Sequence, residues 1–256
     1  MPSLFQVDLN ADLGEIPGPW ERAPDSELLE LVSSASVACG GHAGDAETMR
    51  RTVAAAKRLG VTVGAHPGYP DREGFGRREV GASPADVGQW VREQVSALLH
   101  VAAAERAEVR YVKPHGAMYN RAGRDAAVAV AIARAVREVD PELALLGLAS
   151  SALMGAADEE GLRAVPEAFL DRGYAIDGTL LPRDAPGAVL DDPEEVARRA
   201  VRLVREGRVR AGDGTELSLR AASYCVHGDG RHPARLVRAV RAAFASEGIA
   251  VASFAR

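Results

Sequence analysis

Val61-Thr62-Val63-Gly64-Ala65-His66-Pro67-Gly68-Tyr69-Pro70-Asp71 is the stretch that decides the fold. A short apolar run leads into a histidine, and a turn built from two prolines and a glycine follows. Buried strands read this way when they end at a functional loop: apolar residues first, then a titratable group where the backbone must turn. The design recurs at Cys39-Gly40-Gly41-His42, Val112-Lys113-Pro114-His115-Gly116 and Cys225-Val226-His227-Gly228-Asp229. Four of the six histidines thus sit just past a strand-like run, and these endings are expected to meet at one site.

Working outward, strand and helix patterns alternate along the chain. Phe5 to Leu9 reads as a first strand and runs into Asn10-Ala11-Asp12-Leu13-Gly14-Glu15, then a loop rich in Pro and Gly at 16–19. A helix is expected over Asp25–Val32 and a strand over Ser36–Cys39. The helix Asp45–Leu59 has Asp45 as N-cap and Gly60 just past its end. After the strand at Val61–Val63 comes a long polar loop with Asp71, Arg72, Arg77 and Arg78. Ser83 and Pro84 then open a helix whose apolar stripe is Val87, Val91, Val95, Leu98 and Ala102. Further strands are expected at 110–113, 143–148, 165–169 and 223–226, with a hairpin over 208–219 and a last strand-like run at 249–251. Helices are expected at 125–139, 150–160, 193–206 and 232–247, and 171–193 reads as irregular. Pro166 counts against the strand at 165–169.

This alternation, unbroken by a linker, predicts βα units and a parallel sheet. About seven units in one domain spanning 1–256 favour a distorted (β/α) barrel. Every polar motif follows a strand, and in a barrel the carboxyl ends of the strands share the face where active sites are built.

The totals exclude several classes. The 256 residues carry a formal net charge of −5, with basic residues spread among acidic ones, so no nucleic-acid footprint is present. No apolar run approaches the roughly 20 residues of a membrane helix. Met1 to Phe5 does not read as a secretory signal. Cys39 and Cys225, the two cysteines, imply no disulfide framework and fit a reduced cytoplasmic setting. Cys39 reads as packing.

Phosphate-loop and Gly-x-Ser-x-Gly motifs are missing, and Pro233 stands where a dinucleotide pattern starting at Gly228 would need its third glycine. His42 and His66 are the best proton-exchanging candidates, each beside glycines that allow close approach. Asn10 and Asp12 share one face of a strand exit at i and i+2, as do Lys113 and His115. A lysine pointing into a barrel mouth favours an anionic ligand. Asp45 reads equally as a helix cap. One of the loop arginines, Arg77 foremost, is expected to clamp an anion, and one carboxylate among Glu167, Asp171 and Asp177 to be functional. His100 and His232 read as structural. Two mechanisms fit such a face: Asp12, His42 and His66 bind a divalent metal that activates water, or the same residues move protons without a metal.

Taken together, the motifs 7–15, 38–45, 64–71, 74–78, 112–120, 167–174 and 226–229 resemble the LamB/YcsF family from about residue 5 to the C-terminus. Ala11 and Gly41 depart from the family pattern, where a cysteine and an aromatic residue are expected. The resemblance implies a glycoside hydrolase/deacetylase-like barrel. It also implies one component, the first of three, of an ATP-dependent 5-oxoprolinase, which opens 5-oxo-L-proline to L-glutamate together with subunits B and C. A five-membered lactam is a poor electrophile whose closure is favourable, so its opening calls for ATP as co-substrate, with Mg or another divalent ion as a further candidate. On this reading Asp12, His42, His66 and His115 are the catalytic residues. Asn10, Asp45, Arg77, Lys113, Glu167 and His227 bind substrate. The alternatives are a metal-dependent amide hydrolase or deacetylase on carbohydrate-like substrates, and a non-catalytic protein that binds substrate for B and C. A homo-oligomer is compatible with all three.

Overall fold

In the computed structural model, residues 5–16, 24–230 and 232–255 are described. Residues 1–4, and with them most of the segment read above as no signal, lie outside the described residues, as do 17–19 of the first loop. The elements, in chain order, are β1 (Phe5–Leu13), α1 (Pro24–Leu29), β2 (Ser34–Ala38), α2 (Ala46–Leu59), β3 (Thr62–His66), α3 (Pro84–Ala104), β4 (Val109–Val112), α4 (Gly116–Arg124), α5 (Ala126–Val139), β5 (Ala144–Leu148), α6 (Ala152–Glu159), β6 (Ala164–Phe169), α7 (Pro193–Glu206), β7 (Arg208–Arg210), β8 (Glu216–Ser218), β9 (Ser223–Cys225), α8 (Pro233–Ser246) and β10 (Ile249–Val251).

The strands β1 to β6 pair in sequence order, all parallel, and β9 pairs with both β6 and β1. That double pairing closes a seven-stranded barrel, as expected. The last strand, β10, pairs with the start of β1, outside the ring. β7 and β8 form the expected hairpin, a separate two-stranded sheet among the described residues.

Local chemistry explains the elements. Asp45 caps α2 by accepting from Thr48 N at 2.7 Å, and Gly60 ends the helix in the left-handed region with φ of 69°. Ser83 and Asp86 form a capping box around Pro84 at the start of α3. In β3, Gly64 is required because the Tyr111 ring lies 2.2 Å from where a Cβ would stand. Pro166 is tolerated in β6 because its carbonyl still serves, accepting from Ala222 N at 2.8 Å.

The structure departs from the sequence expectations in two places. β1 runs on through Asn10 and Asp12 to Leu13, because β2 pairs with it over this stretch and β9 over 8–10. The short helix α4 falls between the strand expected at 110–113 and the helix expected at 125–139, where the sequence reading names no element. Its start is masked by Pro114 and by Gly116, whose φ of 54° and contact with the Gly76 carbonyl only glycine allows.

The two faces of β1 set the layers. Val7, Leu9, Ala11 and Leu13 join the apolar core between the sheet and the helices. Asp8, Asn10 and Asp12, on the other face, are also buried, within the ring. The Asp8 carboxylate accepts from the hydroxyls of Ser33, Ser34 and Ser223. A small apolar cluster of Tyr111, Ala144, Leu146 and Val165, with Phe254 packed on it, fills the amino-terminal end of the barrel.

Candidate active site

A cavity of about 630 Å³ opens at the carboxyl ends of the strands. Asp12, His66, Lys113, His115, Arg77, Arg172, Arg183 and His227 are in its lining. All but Arg77 and Arg183 come from a strand or the three residues after it. This is the face on which barrels place their chemistry.

On one side of the floor, three histidines and a glutamate converge. One ligating atom from each of Glu15, His42, His66 and His115 lies within 4.8 Å of every other. Gly14, at φ of 72°, turns the chain past β1 so that Glu15 comes back toward the barrel. Glu15 Oε1 lies 2.9 Å from His42 Nε2, 3.4 Å from His115 Nδ1 and 3.9 Å from His66 Nε2.

Two tautomers are set by backbone carbonyls. His66 Nδ1–H donates to Lys113 O at 2.7 Å, and His115 Nε2–H donates to Phe75 O at 2.8 Å. In the neutral rings this leaves two lone pairs, His66 Nε2 and His115 Nδ1, facing each other at 3.0 Å. The second carbonyl is held by a residue of unusual backbone, since Phe75 has φ of 54°. Its ring packs edge-on against His42 and His115. The His42 and His115 rings stack, with centroids 3.6 Å apart.

Burial, and then the neighbouring histidines, push the His42 and His115 pKa values well below the usual imidazole range. Burial, reinforced by the Asp12 charge, raises Glu15 well above the carboxylate range. His42 and His115 are therefore held neutral, each with a ring nitrogen lone pair free. His42 Nδ1 is buried without a partner.

Facing lone pairs, a buried orphan nitrogen, and histidines whose other N–H is fixed by a carbonyl are what a metal-binding site looks like from the protein side. This buried Glu/His/His/His group could hold a metal ion.

Beside it lies a floor that is charged. Lys113 Nζ sits 2.9 Å from Asp12 Oδ1, 2.9 Å from Glu167 Oε1, 3.0 Å from Asn10 Oδ1 and 3.2 Å from Cys225 Sγ. Although burial opposes it, the charges of Asp12 and Glu167 hold Lys113 well above the usual lysine range. Burial would also raise Asp12, but His66 and Lys113 hold it well below the carboxylate range. Asp12 Oδ2 approaches His66 Nε2 at 3.4 Å, so an ionised carboxylate adjoins the histidine group. Behind Lys113, Tyr119 Oη donates to Glu167 Oε2 at 2.9 Å, and Asn10 Nδ2 donates to Glu167 Oε1 at 2.9 Å and Ser223 Oγ at 2.7 Å.

The rim is built from loops. Asp229 pairs with Arg77 and, at 3.4 Å, with Arg183. Arg172 donates to the carbonyls of Ala188 and Leu181, tying down the irregular stretch 171–192. Asp171 accepts from His227, two residues before Asp229 in the loop after β9.

The expected residues are thus largely brought together. Asp12, His66, His115, Arg77, Lys113 and His227 line the cavity. His42 belongs to the histidine group just off the lining. Asn10 and Glu167 are fully buried, and their donors and acceptors are taken by Lys113, Ser223, Tyr119 and each other, so they support the floor and do not face the opening. Asp45 stands apart, exposed, with its carboxylate occupied as the cap of α2. Of the ligand group expected as Asp12, His42 and His66, the two histidines belong with Glu15 and His115 to the cluster that could hold a metal ion, and Asp12 adjoins it 3.4 Å from His66 Nε2. Glu15 is a site residue that the sequence reasoning does not single out, although it stands three positions past Asp12. Tyr119 escapes it together with the helix that carries it.

A model of the LamB/YcsF family matches residues 7–256. The chain is 48% identical over 248 residues to a protein of Chloroflexus aurantiacus that is named as the first component of 5-oxoprolinase, covering 97% of this chain and 98% of that protein. It is 51% identical over 251 residues to a protein of the same name from Paracidovorax citrulli, covering 98% of this chain and 100% of that protein. Among solved structures, a lactam utilization protein from Thermus thermophilus superposes with a TM-score of 0.89 at 45% identity, over 98% of this chain and 100% of that one. The catalytic domain of a peptidoglycan N-acetylglucosamine deacetylase from Eubacterium rectale shares the fold alone, with a TM-score of 0.53 at 10% identity over 100% of this chain and 92% of that one.

Proposed function

The chain belongs to the LamB/YcsF family, and from that premise we propose that it is the hydrolytic component of an ATP-dependent 5-oxoprolinase, acting with subunits B and C on 5-oxoproline in the cytoplasm. One observation carries the reading. A buried Glu15, His42, His66 and His115 group adjoins an ionised Asp12 at the floor of the cavity, in a chain about half identical to proteins named as 5-oxoprolinase components.

Three imidazoles and a carboxylate suit zinc or a similar transition ion better than magnesium, which takes oxygen donors. Such an ion, when bound by Glu15, His42, His66 and His115, polarises a carbonyl and makes a nearby water more acidic. Asp12, kept ionised by Lys113, is placed to take a proton from the attacking water. Arg77, Arg172 and Arg183 on the rim suit anionic groups, such as the lactam's carboxylate or a phosphate on its activated form. On this proposal B and C carry out the ATP-driven activation of the lactam and this chain opens the ring, a division that the hydrolase-like donor set supports.

The test is glutamate release from 5-oxoproline and ATP on mixing B and C with and without this chain. Glutamate is expected only in the complete mixture, and none in any mixture overturns the proposal. Among the described residues, no helix is long and apolar enough to cross a membrane.

A further inference from the structure

Opening a lactam requires more than a base for water. When the C–N bond breaks, its electron pair goes to nitrogen, and an unprotonated amide nitrogen is a very poor leaving group. Some group in the cavity must hold an N–H or O–H that it can give up.

Most titratable groups there are already committed. His66 and His115 each spend one ring nitrogen on a backbone carbonyl and turn the other into the histidine group. Lys113 is surrounded by Asp12, Glu167 and Asn10. The Tyr119 hydroxyl donates to Glu167. His227 differs. Its Nδ1 faces both oxygens of Asp171 at 3.1 Å, and its backbone N–H donates to Asp171 Oδ2 at 3.0 Å. Among the described residues, it is the histidine of the cavity lining whose Nε2 has no partner.

The placement is specific. The ring of His227 stacks on Phe169, centroids 5.0 Å apart and planes 20° from parallel. Next to it, Gly228 packs so closely that a Cβ would stand 2.5 Å from the carbonyl oxygen of Asp12. The end of β9 is thereby held against the end of β1. Asp171 is buried, and despite that burial the His227 charge holds its carboxyl below the usual range. A buried carboxylate fixed to Nδ1 sets the ring's orientation and aims Nε2 away from itself.

We infer that His227 is the catalytic acid that protonates the ring nitrogen, and that Asp171 is the residue positioning it, on the strand end that neighbours the one carrying the base Asp12. In the step, the water oxygen bonds to the carbonyl carbon while its proton passes to Asp12. The C–N bond then breaks, its electron pair stays on nitrogen, Nε2–H of His227 delivers the proton that makes the amine, and the acyl phosphate left by an O-phosphorylated lactam is hydrolysed by a second water to carboxylate and phosphate. His227 and Asp12 return to their starting forms by exchange with solvent. The inference rests on the proposed function, and it deepens that reading by dividing acid from base.

The test uses the reconstituted system with B and C. His227→Asn keeps a donor for Asp171 and removes the acid. Its turnover is expected to fall by about 10²–10⁴-fold, the usual worth of general acid catalysis, with metal content and assembly as in the parent. His227→Ala should regain turnover on addition of imidazole. In Asp171→Asn turnover should fall by at least about tenfold with KM little changed, because the imidazole loses the carboxylate that fixes its ring. Turnover of His227→Asn within about threefold of the parent overturns the inference, as does an unchanged kcat in Asp171→Asn. A parent mixture that releases no glutamate removes the proposed function instead, and the inference with it.

Discussion

The histidine group and the lysine floor meet at Asp12 and are about equally buried, yet they hold opposite states of charge. His42 and His115 are held neutral and Glu15 is pushed toward its protonated form. Lys113 and Asp12, a few ångströms away, are both pinned in their charged forms. Burial opposes charge in all five. What differs is the neighbouring charge: His42 and His115 sense the other histidines and Glu15 senses Asp12, while Lys113 and Asp12 face each other with opposite charge. The neutral side keeps lone pairs free for a cation. The charged side keeps a carboxylate ready as a base.

The sharpest way to break this contrast is to take the cation from the floor. Lys113→Met leaves Asp12 and Glu167 buried and uncompensated, and should cost about 3–5 kcal/mol of unfolding free energy, measured by urea denaturation. Adding Glu167→Gln should restore part of that loss. If the single variant is as stable as the parent, the charged floor is not what the distances indicate.

His66→Ala acts on the other side. It removes one nitrogen of the histidine group and should leave the purified chain without stoichiometric metal. Turnover with B and C should fall by at least about 10²-fold, close to 3 kcal/mol. Full metal content in this variant would break the assignment of the group.

Much of this contrast is visible in the sequence, and the missing parts share a cause. Asn10 and Asp12, or Lys113 and His115, are paired by the period of a strand, which any reader of the chain can count. Seven strand-like runs ending in polar motifs point to the barrel for the same reason. Glu15 is hidden because its direction depends on the left-handed turn at Gly14. The roles of Asn10 and Glu167 are hidden because their contact spans 157 positions, and only closure of the ring makes it. Position along a strand can be read, whereas whether a polar group faces the cavity or its neighbours cannot.

A finer probe of the neutral side is Glu15→Gln in the chelated protein. A carboxyl whose folded pKa is raised makes the fold lose stability as pH rises from the ordinary glutamate range through the folded value. The variant removes that loss. It should match the parent near pH 4 and become progressively more stable than the parent toward pH 8, by about 1.4 kcal/mol for each tenfold change in proton affinity. A constant difference across this range would mean that Glu15 is ionised without penalty, and the contrast between the two sides would shrink to the histidines.

The smallest expected effect separates the cavity from its surroundings. Asp45 follows β2 in the same motif as His42, and by its place in the chain it has an equal claim to the site. Its carboxylate instead accepts from Thr48 N at 2.7 Å, and the residue is exposed. The Thr48 contacts, ahead of any charge nearby, lower its pKa. Asp45→Ala should therefore cost about 1 kcal/mol of stability, the usual worth of a helix cap, and leave turnover with B and C unchanged. Asp45→Asn, which still caps, should cost about a few tenths of a kcal/mol at most. A fall in turnover for both variants at unchanged stability would return Asp45 to the substrate site, and would mean that the loop after β2 moves inward when substrate binds.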